Sequence, residues 1–362
     1  MEFFYMKAVI LAAGHGTRLR PVTLTMPKSL VPVANKFLIV YAIEVLRNAG
    51  VTDIGIVVNS LTSPIVQILG TGELYDVKLS YIVQEEQKGL AHATAICRDF
   101  VGDDPFCVFL GDNIFQDKMQ DLLQNFASGD SQATLGLGEV SDPTRFGIAE
   151  IKDGQILRVV EKPKDPPSNL AICGVYLFRK SIFDAIGKIK PSARGEYEIT
   201  DAIQMLLTEG QKVTPYKVNG WWIDAGKPNA IIEANQFVLG DMPFSPKPEG
   251  AHITEKSEVS SRVILGKNTQ IIDSVIRGPV ILGDNVVIKN SYIGPYTSIG
   301  DNVTVENSEI EASIIMKDCT IHGIPGRVDS SLIADSSVVT SANHIIPSTH
   351  RFILAENSYV QL

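Results

Sequence analysis

Two glycines close an apolar run near the start of the chain, and cations follow them. Leu11-Ala-Ala-Gly-His-Gly-Thr-Arg-Leu-Arg-Pro21, with Pro27-Lys28-Ser29 beyond, continues the run Ala8–Ala13, which reads as a buried strand. Gly14 and Gly16 let the backbone turn sharply and approach a ligand, while Thr17, Arg18 and Lys28 add a hydroxyl and two cations. Such a turn suits a polyphosphate: backbone N–H groups bond its oxygens, and nearby positive charge offsets theirs. It is not a Walker loop, because Gly16 precedes Thr-Arg rather than Lys-Ser/Thr, and it is not a dinucleotide fingerprint, because Leu19 stands where the third glycine belongs. Two aspartates end apolar runs elsewhere: Asp112 in Gly111-Asp112-Asn113 and Asp224 in Trp222-Ile-Asp-Ala-Gly226. Either could be a turn former or cap, or a ligand for a hard cation. Lys162 and Arg194 read as surface cations or as phosphate partners. His15 and His92 read as polar loop or helix residues.

The frame for these residues is legible to about residue 240. Ile54–Val58, Leu79–Val83 and Phe106–Leu110 read as strands. Ile39–Ala49, stopped by Gly50, and Ala91–Asp99 read as helices. The alternation predicts an α/β fold, a Rossmann-like, mixed and mostly parallel sheet covered by helices. Ligands of such sheets sit beyond the carboxyl ends of the strands, where the glycine loop and Gly111-Asp112-Asn113 fall.

The pattern changes after residue 240. Asp241-Met-Pro243 and Ser245-Pro-Lys-Pro248 read as a linker over 241–252. Glu258–Ser274, Val275–Ser291 and Tyr292–Ser308 are then three consecutive 17-residue units. Apolar residues recur every six positions at Val259, Leu265, Ile271; Ile276, Leu282, Ile288; and Ile293, Ile299, Val305. The register then slips, through Ile310, Ile315, Ile321 to Val328, Ile333, Val339. Three inward residues per coil at this period predict a parallel β-helix over 253–362, triangular in section, rather than a β-sandwich. Its faces suit assembly into a homo-oligomer.

Composition narrows the class. The 362-residue chain has a net charge of −9, which argues against a nucleic-acid binder. Four scattered cysteines, Cys97, Cys107, Cys173 and Cys319, fit reduced core residues of a cytoplasmic protein. No apolar run is long enough to span a membrane, and the start lacks a cleavage-site pattern. Met6 is an alternative start, which would make residues 1–5 an extension.

The glycine loop with Arg18, Pro21 and Pro27-Lys28 resembles the signature of the sugar-1-phosphate nucleotidyltransferases, and within them the long form of the glucose-1-phosphate thymidylyltransferases. Further motifs similar to the family's follow in its order. They are Gln84 with Gly89-Leu-Ala-His-Ala93, Leu110-Gly-Asp-Asn113, Phe146-Gly147, Glu161-Lys-Pro163, Ser168-Asn-Leu-Ala171, Arg194-Gly-Glu196 with Ile199-Thr-Asp201, and Trp221-Trp-Ile-Asp-Ala-Gly226. The C-terminal hexapeptide repeats distinguish the long form and make the β-helix left-handed by resemblance. Tyr197 stands where leucine is common, and Ile223-Asp-Ala225 where Lys-Asp-Thr is common.

The resemblance implies a reaction of a nucleoside triphosphate, dTTP, with glucose 1-phosphate to give dTDP-glucose and pyrophosphate. By it, Asp112 and Asp224 hold Mg²⁺, and Arg18 and Lys28 bind the triphosphate. Leu11, Ala13, Gly14, Gly16 and Thr17 line the nucleotide, and Gln84 and Gly89 select the base. Lys162 and Arg194 bind the sugar phosphate, while Asn113, Gly147, Glu161 and Ile172 surround the sugar. UTP or another sugar 1-phosphate is the near alternative. A non-catalytic subunit is disfavoured by the retained charges, and acyl transfer by the solenoid would rest on His322 alone.

The chemistry requires little acid–base help. A phosphomonoester has its second pKa near ~6, so the attacking oxygen is largely ionised at neutral pH. The obstacle is repulsion between polyanions: roughly 3 kcal/mol for each unit-charge pair at ~5 Å and an effective dielectric of ~20. Position and positive charge are therefore what the chain must supply.

Overall fold

The computed structural model describes residues 6–243 and 250–341. Residues 1–5, the expected linker residues Ser245–Pro248 and the repeat region beyond Ser341 lie outside the described residues. The chain divides into two compact units. One gathers the chain up to His15, Pro27–Leu30 and Leu38–Asp224; the other gathers Gly16–Met26, Val31–Phe37 and the chain from Ala225 onward.

The first unit is built on strands β1 (Lys7–Leu11), β2 (Asp53–Val58), β3 (Lys78–Val83), β4 (Phe106–Leu110), β5 (Asn113–Phe115), β6 (Ala133–Glu139), β7 (Gly147–Lys152), β8 (Gln155–Glu161), β9 (Leu170–Phe178), β10 (Val213–Lys217) and β11 (Trp222–Asp224). Nine form one sheet in the order β8-β7-β9-β4-β1-β2-β3, with β6 on β9 and β10 on β6; β5 and β11 pair separately. Pairing is parallel through β4-β1-β2-β3. It becomes antiparallel where β9 meets β4, β6 and β7. Ala8, Val9 and Ile10 of central β1 are fully buried, as a strand covered on both faces requires. β1 stops at Leu11, short of the expected Ala13, although the Ala12 N–H still donates to Val57 O at 2.9 Å.

Helix α1 (Leu38–Asn48) matches the expected span closely. The single helix expected over 91–99 is instead two, α2 (Leu90–Ala95) and α3 (Arg98–Val101). The Cys97 N–H bonds Thr94 O, three residues back, so one turn tightens and the α register breaks. Helix α4 (Ile199–Thr208) packs its apolar face on the sheet core, burying Ile199, Ala202, Ile203 and Leu206.

The second unit is a left-handed β-helix whose short strands form three parallel sheets of six, five and five strands among the described residues. The predicted inward residues stack. Val259, Ile276, Ile293, Ile310 and Val328 follow one another on one face. Leu282, Ile299, Ile315 and Ile333 do so on the second. Ile271, Ile288, Val305, Ile321 and Val339 do so on the third, where Ile253, outside the expected set, joins them. The late slip has two parts: the coil is a residue short between Ile310 and Ile315, so Ile299 meets Ile315, and it is longer through the turn containing Gly323-Ile-Pro-Gly326, so Ile310 still meets Val328.

Corners are turned by residues in the left-handed region: Asn268, Asn285 and Asn302 at φ +57°, +57° and +58°. Asparagine tolerates this because its amide bonds locally. Here the amides form a ladder, Asn268 to Asn285 at 3.0 Å and Asn285 to Asn302 at 3.1 Å. A Cβ on Gly266 would lie 2.3 Å from Gly283 C, so the coils stack too closely there for any side chain.

Helix α5 (Pro228–Asp241) belongs to the same unit. Its Asn235, fully buried, accepts from Ala34 N–H and from Ser298 Oγ, both at 2.8 Å, and donates to Tyr296 O at 2.9 Å. It thus ties the helix, the 32–37 hairpin and a coil of the solenoid together. All four cysteines are free and buried, and burial pushes the Cys97 thiol up to about 12. No helix among the described residues is long and apolar enough to cross a membrane.

Candidate active site

Charged residues gather beyond the carboxyl ends of β1 and β4. Gly111 packs its backbone against β1: its N–H donates to Leu11 O at 3.1 Å. Leu11 is half-buried and Ala13 buried, while Gly14 is exposed with open space where a side chain would stand. Gly16 is left-handed, at φ 61°, and starts the single turn Thr17–Leu19. Thr17 and Arg18 are exposed within the second unit's segment Gly16–Met26.

The Lys28 ammonium donates to Asp112 Oδ2 and lies 3.9 Å from Asp224 Oδ1. The two carboxylates come together because β5 and β11 pair antiparallel with Asp224 opposite Asn113. Asn113 is 2 % exposed and fixes the arrangement: its amide nitrogen donates to Asp112 Oδ1 at 2.7 Å and its oxygen accepts from Trp222 Nε1 at 2.6 Å. The Trp222 ring lies between Phe115 and Phe146. Burial opposes charge on Asp112, but the Lys28 ammonium and the Asn113 amide outweigh it and hold the carboxyl below its usual range. Each end of the Asn113 side chain thus holds one protein partner, and its second N–H and second lone pair are the ones a sugar contact would use. Among the described residues no group of three or more His, Cys, Asp or Glu is arranged for a metal. Two carboxylates around one cation nevertheless suit a hard divalent ion that takes its other oxygens from phosphate and water.

A second cluster forms where β7, β8 and α4 meet. Glu161 Oε1 lies 3.4 Å from Lys162 Nζ and 3.4 Å from Arg194 Nη2, and Oε2 accepts from Thr200 Oγ1 at 3.2 Å. A Cβ on Gly147 would lie 2.7 Å from Thr200 Cγ2, 3.2 Å from Glu161 Oε2 and 3.4 Å from Ile172 Cδ1. Gly147, Glu161, Lys162, Ile172 and Arg194, named separately from sequence, thus share one place. Burial pushes the Glu161 carboxyl up, beyond what Lys162 and Arg194 offset. Sequence reasoning missed Glu198 and Thr200. Buried Glu198 holds Arg194 Nη2 at 2.7 Å and accepts from Ser192 Oγ at 2.7 Å. Both lie in or beside the quoted run Arg194–Asp201, which was the available signal.

Gln84 ends β3. It is buried, its N–H donates to Val58 O at 2.8 Å, and its side-chain amide lies 3.0 Å from His92 Nδ1, within hydrogen-bond distance. Gly89, at φ +103°, would place a Cβ 2.5 Å from Tyr197 O. The glycine is therefore required by the passing backbone of Tyr197, whose N–H donates to Lys88 O at 2.7 Å.

The model of a family described as nucleotidyl transferase matches residues 7–240. The low-salt glycan biosynthesis nucleotidyltransferase Agl11 of Haloferax volcanii is 45% identical over 361 residues, 99% of this chain and 100% of that protein. A glucose-1-phosphate thymidylyltransferase of Streptomyces griseus is 41% identical over 358 residues, 99% of each chain. Among solved structures, a UDP-glucose pyrophosphorylase complexed with UDP-glucose is 28% identical with a TM-score of 0.57, covering 66% of this chain and 100% of its own.

Proposed function

The chain belongs to the nucleotidyl transferase family, and on that premise we propose that it makes dTDP-glucose and pyrophosphate from dTTP and glucose 1-phosphate, with magnesium. It is a sugar-1-phosphate nucleotidyltransferase. The choice of dTTP and glucose 1-phosphate draws on the end-to-end likeness to the Streptomyces griseus thymidylyltransferase. The observation that carries the mechanism is the meeting of Glu161, Lys162, Arg194 and Thr200 around Gly147. Cations with a carboxylate beside them suit a phosphorylated sugar: ammonium and guanidinium for the phosphate, carboxylate for the hydroxyls.

In this reading Arg194 and Lys162 bind the dianionic sugar phosphate and aim one oxygen at the α-phosphorus. Glu161 accepts bonds from sugar hydroxyls, and Gly147 and Ile172 leave the ring room. Lys28 and Arg18 offset the charge that builds on the α-phosphate and the departing pyrophosphate. Gly14, Gly16 and Thr17 bond the triphosphate, and Gln84 meets the base. Asp112 and Asp224 would hold the magnesium ion, which supplies charge neutralisation at the phosphates. Asn113 and Trp222 keep Asp112 oriented for that task.

A second reading replaces dTTP with UTP, favoured by the likeness to the pyrophosphorylase solved with UDP-glucose. The bases differ by one methyl, worth about 0.8 kcal/mol of burial. Buried, reduced thiols favour a cytoplasmic enzyme, and the flat faces of the β-helix favour a homo-oligomer. Pyrophosphate release, measured over a grid of triphosphates and sugar 1-phosphates with magnesium or with EDTA, tests the proposal. Highest kcat/KM for dTTP with glucose 1-phosphate, lost in EDTA, is expected. A preference for UTP selects the second reading, and no release from any pair rejects both.

A further inference from the structure

Asp224 owes its place beside Asp112 to a ladder of three residue pairs, β5 with β11, which stands apart from the main sheet. Two short strands alone are marginal, and a slip of one residue would turn Asp224 to the opposite face. Something beyond the ladder must therefore hold its register. At the Asp224 end the bond from Trp222 to Asn113 contributes. The far end is closed by a residue outside both strands, Asp117. We infer that Asp117 is a positioning residue for the cation site: it fixes the register of β5 on β11, and so the place of Asp224, without touching substrate. This rests on the proposed reading in which Asp112 and Asp224 hold magnesium.

Beyond Phe115 the two chains stay together for one more pair. Gln116 N–H donates to Trp221 O at 3.0 Å, and Trp221 N–H donates to Gln116 Oε1 at 3.3 Å. Asp117 then takes hold of the loop that leads into β11. Its Oδ2 accepts from Asn219 N–H at 2.8 Å, from Asn219 Nδ2 at 3.2 Å and from the Tyr216 hydroxyl at 3.0 Å. Its Oδ1 accepts from Met119 N–H at 2.9 Å, at the start of the helix Gln120–Ser128. Each role is fixed by chemistry, since a backbone N–H can only give and a carboxylate at neutral pH can only accept. Burial and the Asp117 charge push the Tyr216 phenol up to about 12, so it keeps the proton that it donates. Tyr216 lies on β10, which pairs with β6 in the main sheet. One carboxylate thus fastens the open end of the small ladder to the large sheet, with bonds stronger than neutral ones. Between Asn219 and Trp221, Gly220 is left-handed at φ +75°, and a side chain there would collide with Gln116 Oε1.

The experiment compares the full chain with Asp117→Ala, Asp117→Asn and Tyr216→Phe. Two constants are read: the Mg²⁺ concentration for half-maximal turnover at saturating substrates, and the Kd for Mn²⁺ without substrates, from the electron paramagnetic resonance of the free ion. Asp117→Ala is expected to raise both about tenfold, the lower end for groups that orient metal ligands, with KM for glucose 1-phosphate within about twofold. Asp117→Asn, whose one amide oxygen can still accept from Tyr216 and Asn219, should recover part of the loss. Tyr216→Phe should raise both constants about threefold, and should add nothing in a chain that already carries Asp117→Ala, because the two act through one bond. A lowered melting temperature in Asp117→Ala with both constants unchanged gives Asp117 a role in folding alone and overturns the inference. Asp224→Asn separates the two readings. If it weakens Mn²⁺ binding while the Asp117 variants keep the wild-type constants, the inference falls and the cation site stands. If it changes neither constant, the cation site fails, and the inference with it. Should Asp117→Ala not fold, Asp117→Asn and Tyr216→Phe decide.

Discussion

The two charge clusters of the sheet unit are built as opposites. In one, a single ammonium, Lys28, stands between two carboxylates, Asp112 and Asp224. In the other, the carboxylate of Glu161 stands between two cations, Lys162 and Arg194, and Arg194 is also held by Glu198. The first holds two negative charges against one positive and attracts cations. The second has donors in fixed places and attracts an anion, which must compete with carboxylates already present. Each group is held by an opposite charge, so neither cluster leaves an isolated ion in a partly buried place, where its desolvation would be costly. In the function proposed above, the first cluster would exchange its ammonium for a metal ion and the second its carboxylate contacts for a phosphate.

The comparison can be broken most severely at the first cluster. Asp112→Asn keeps the shape and removes the charge, and is expected to lower kcat by about 10³ with little change in melting temperature. Unchanged turnover would show that the carboxylate pair is not the cation site. At the second cluster the effect should be smaller and confined to one substrate. Arg194→Ala is expected to raise KM for the sugar phosphate by roughly 10–100-fold, the worth of hydrogen bonds to a charged group, while KM for the triphosphate stays put. A rise in the triphosphate KM instead would merge the two clusters into one.

Protonation sharpens the contrast further. Burial raises the Glu161 carboxyl, so as pH falls it takes up a proton earlier than an ordinary glutamate at ~4.3. KM for the sugar should therefore climb with falling pH above that range. The sugar phosphate titrates near ~6 as well, so the comparison is with Glu161→Gln, in which only the substrate's contribution should remain. Parallel profiles in the two proteins would remove Glu161 from sugar binding. The smallest effect is expected for Thr200→Val, which deletes the one bond to Glu161 Oε2 and should raise the same KM severalfold.

These clusters were legible in the sequence only as separate charges. Arg194 was visible, but the buried partner that orients it, Glu198, was not, because a glutamate in sequence reads as solvated until packing surrounds it. Asn113 was visible as a neighbour of Asp112. Its engagement with the protein, one end on Asp112 and the other on Trp222, depends on β5 pairing with β11 more than a hundred residues later. The parallel half of the sheet followed from alternating runs, while the antiparallel half around β9 left no comparable rhythm.

The β-helix was the reverse case. Each coil meets the next one, so the six-residue period alone gave Ile271, Ile288 and Val305 as one stack. The break between α2 and α3 was not readable, because apolar residues at helical spacing do not record a turn tightened by one backbone bond.

Trp222 and its neighbour Trp221 are the two tryptophans of the sequence. The Trp222 indole N–H is bonded to the same asparagine that holds Asp112. Whatever changes the charge at that carboxylate changes the polar surroundings of the indole two bonds away. The protein thus carries its own optical indicator: ultraviolet emission should follow occupancy of the carboxylate pair in the unlabelled enzyme, before any product is formed.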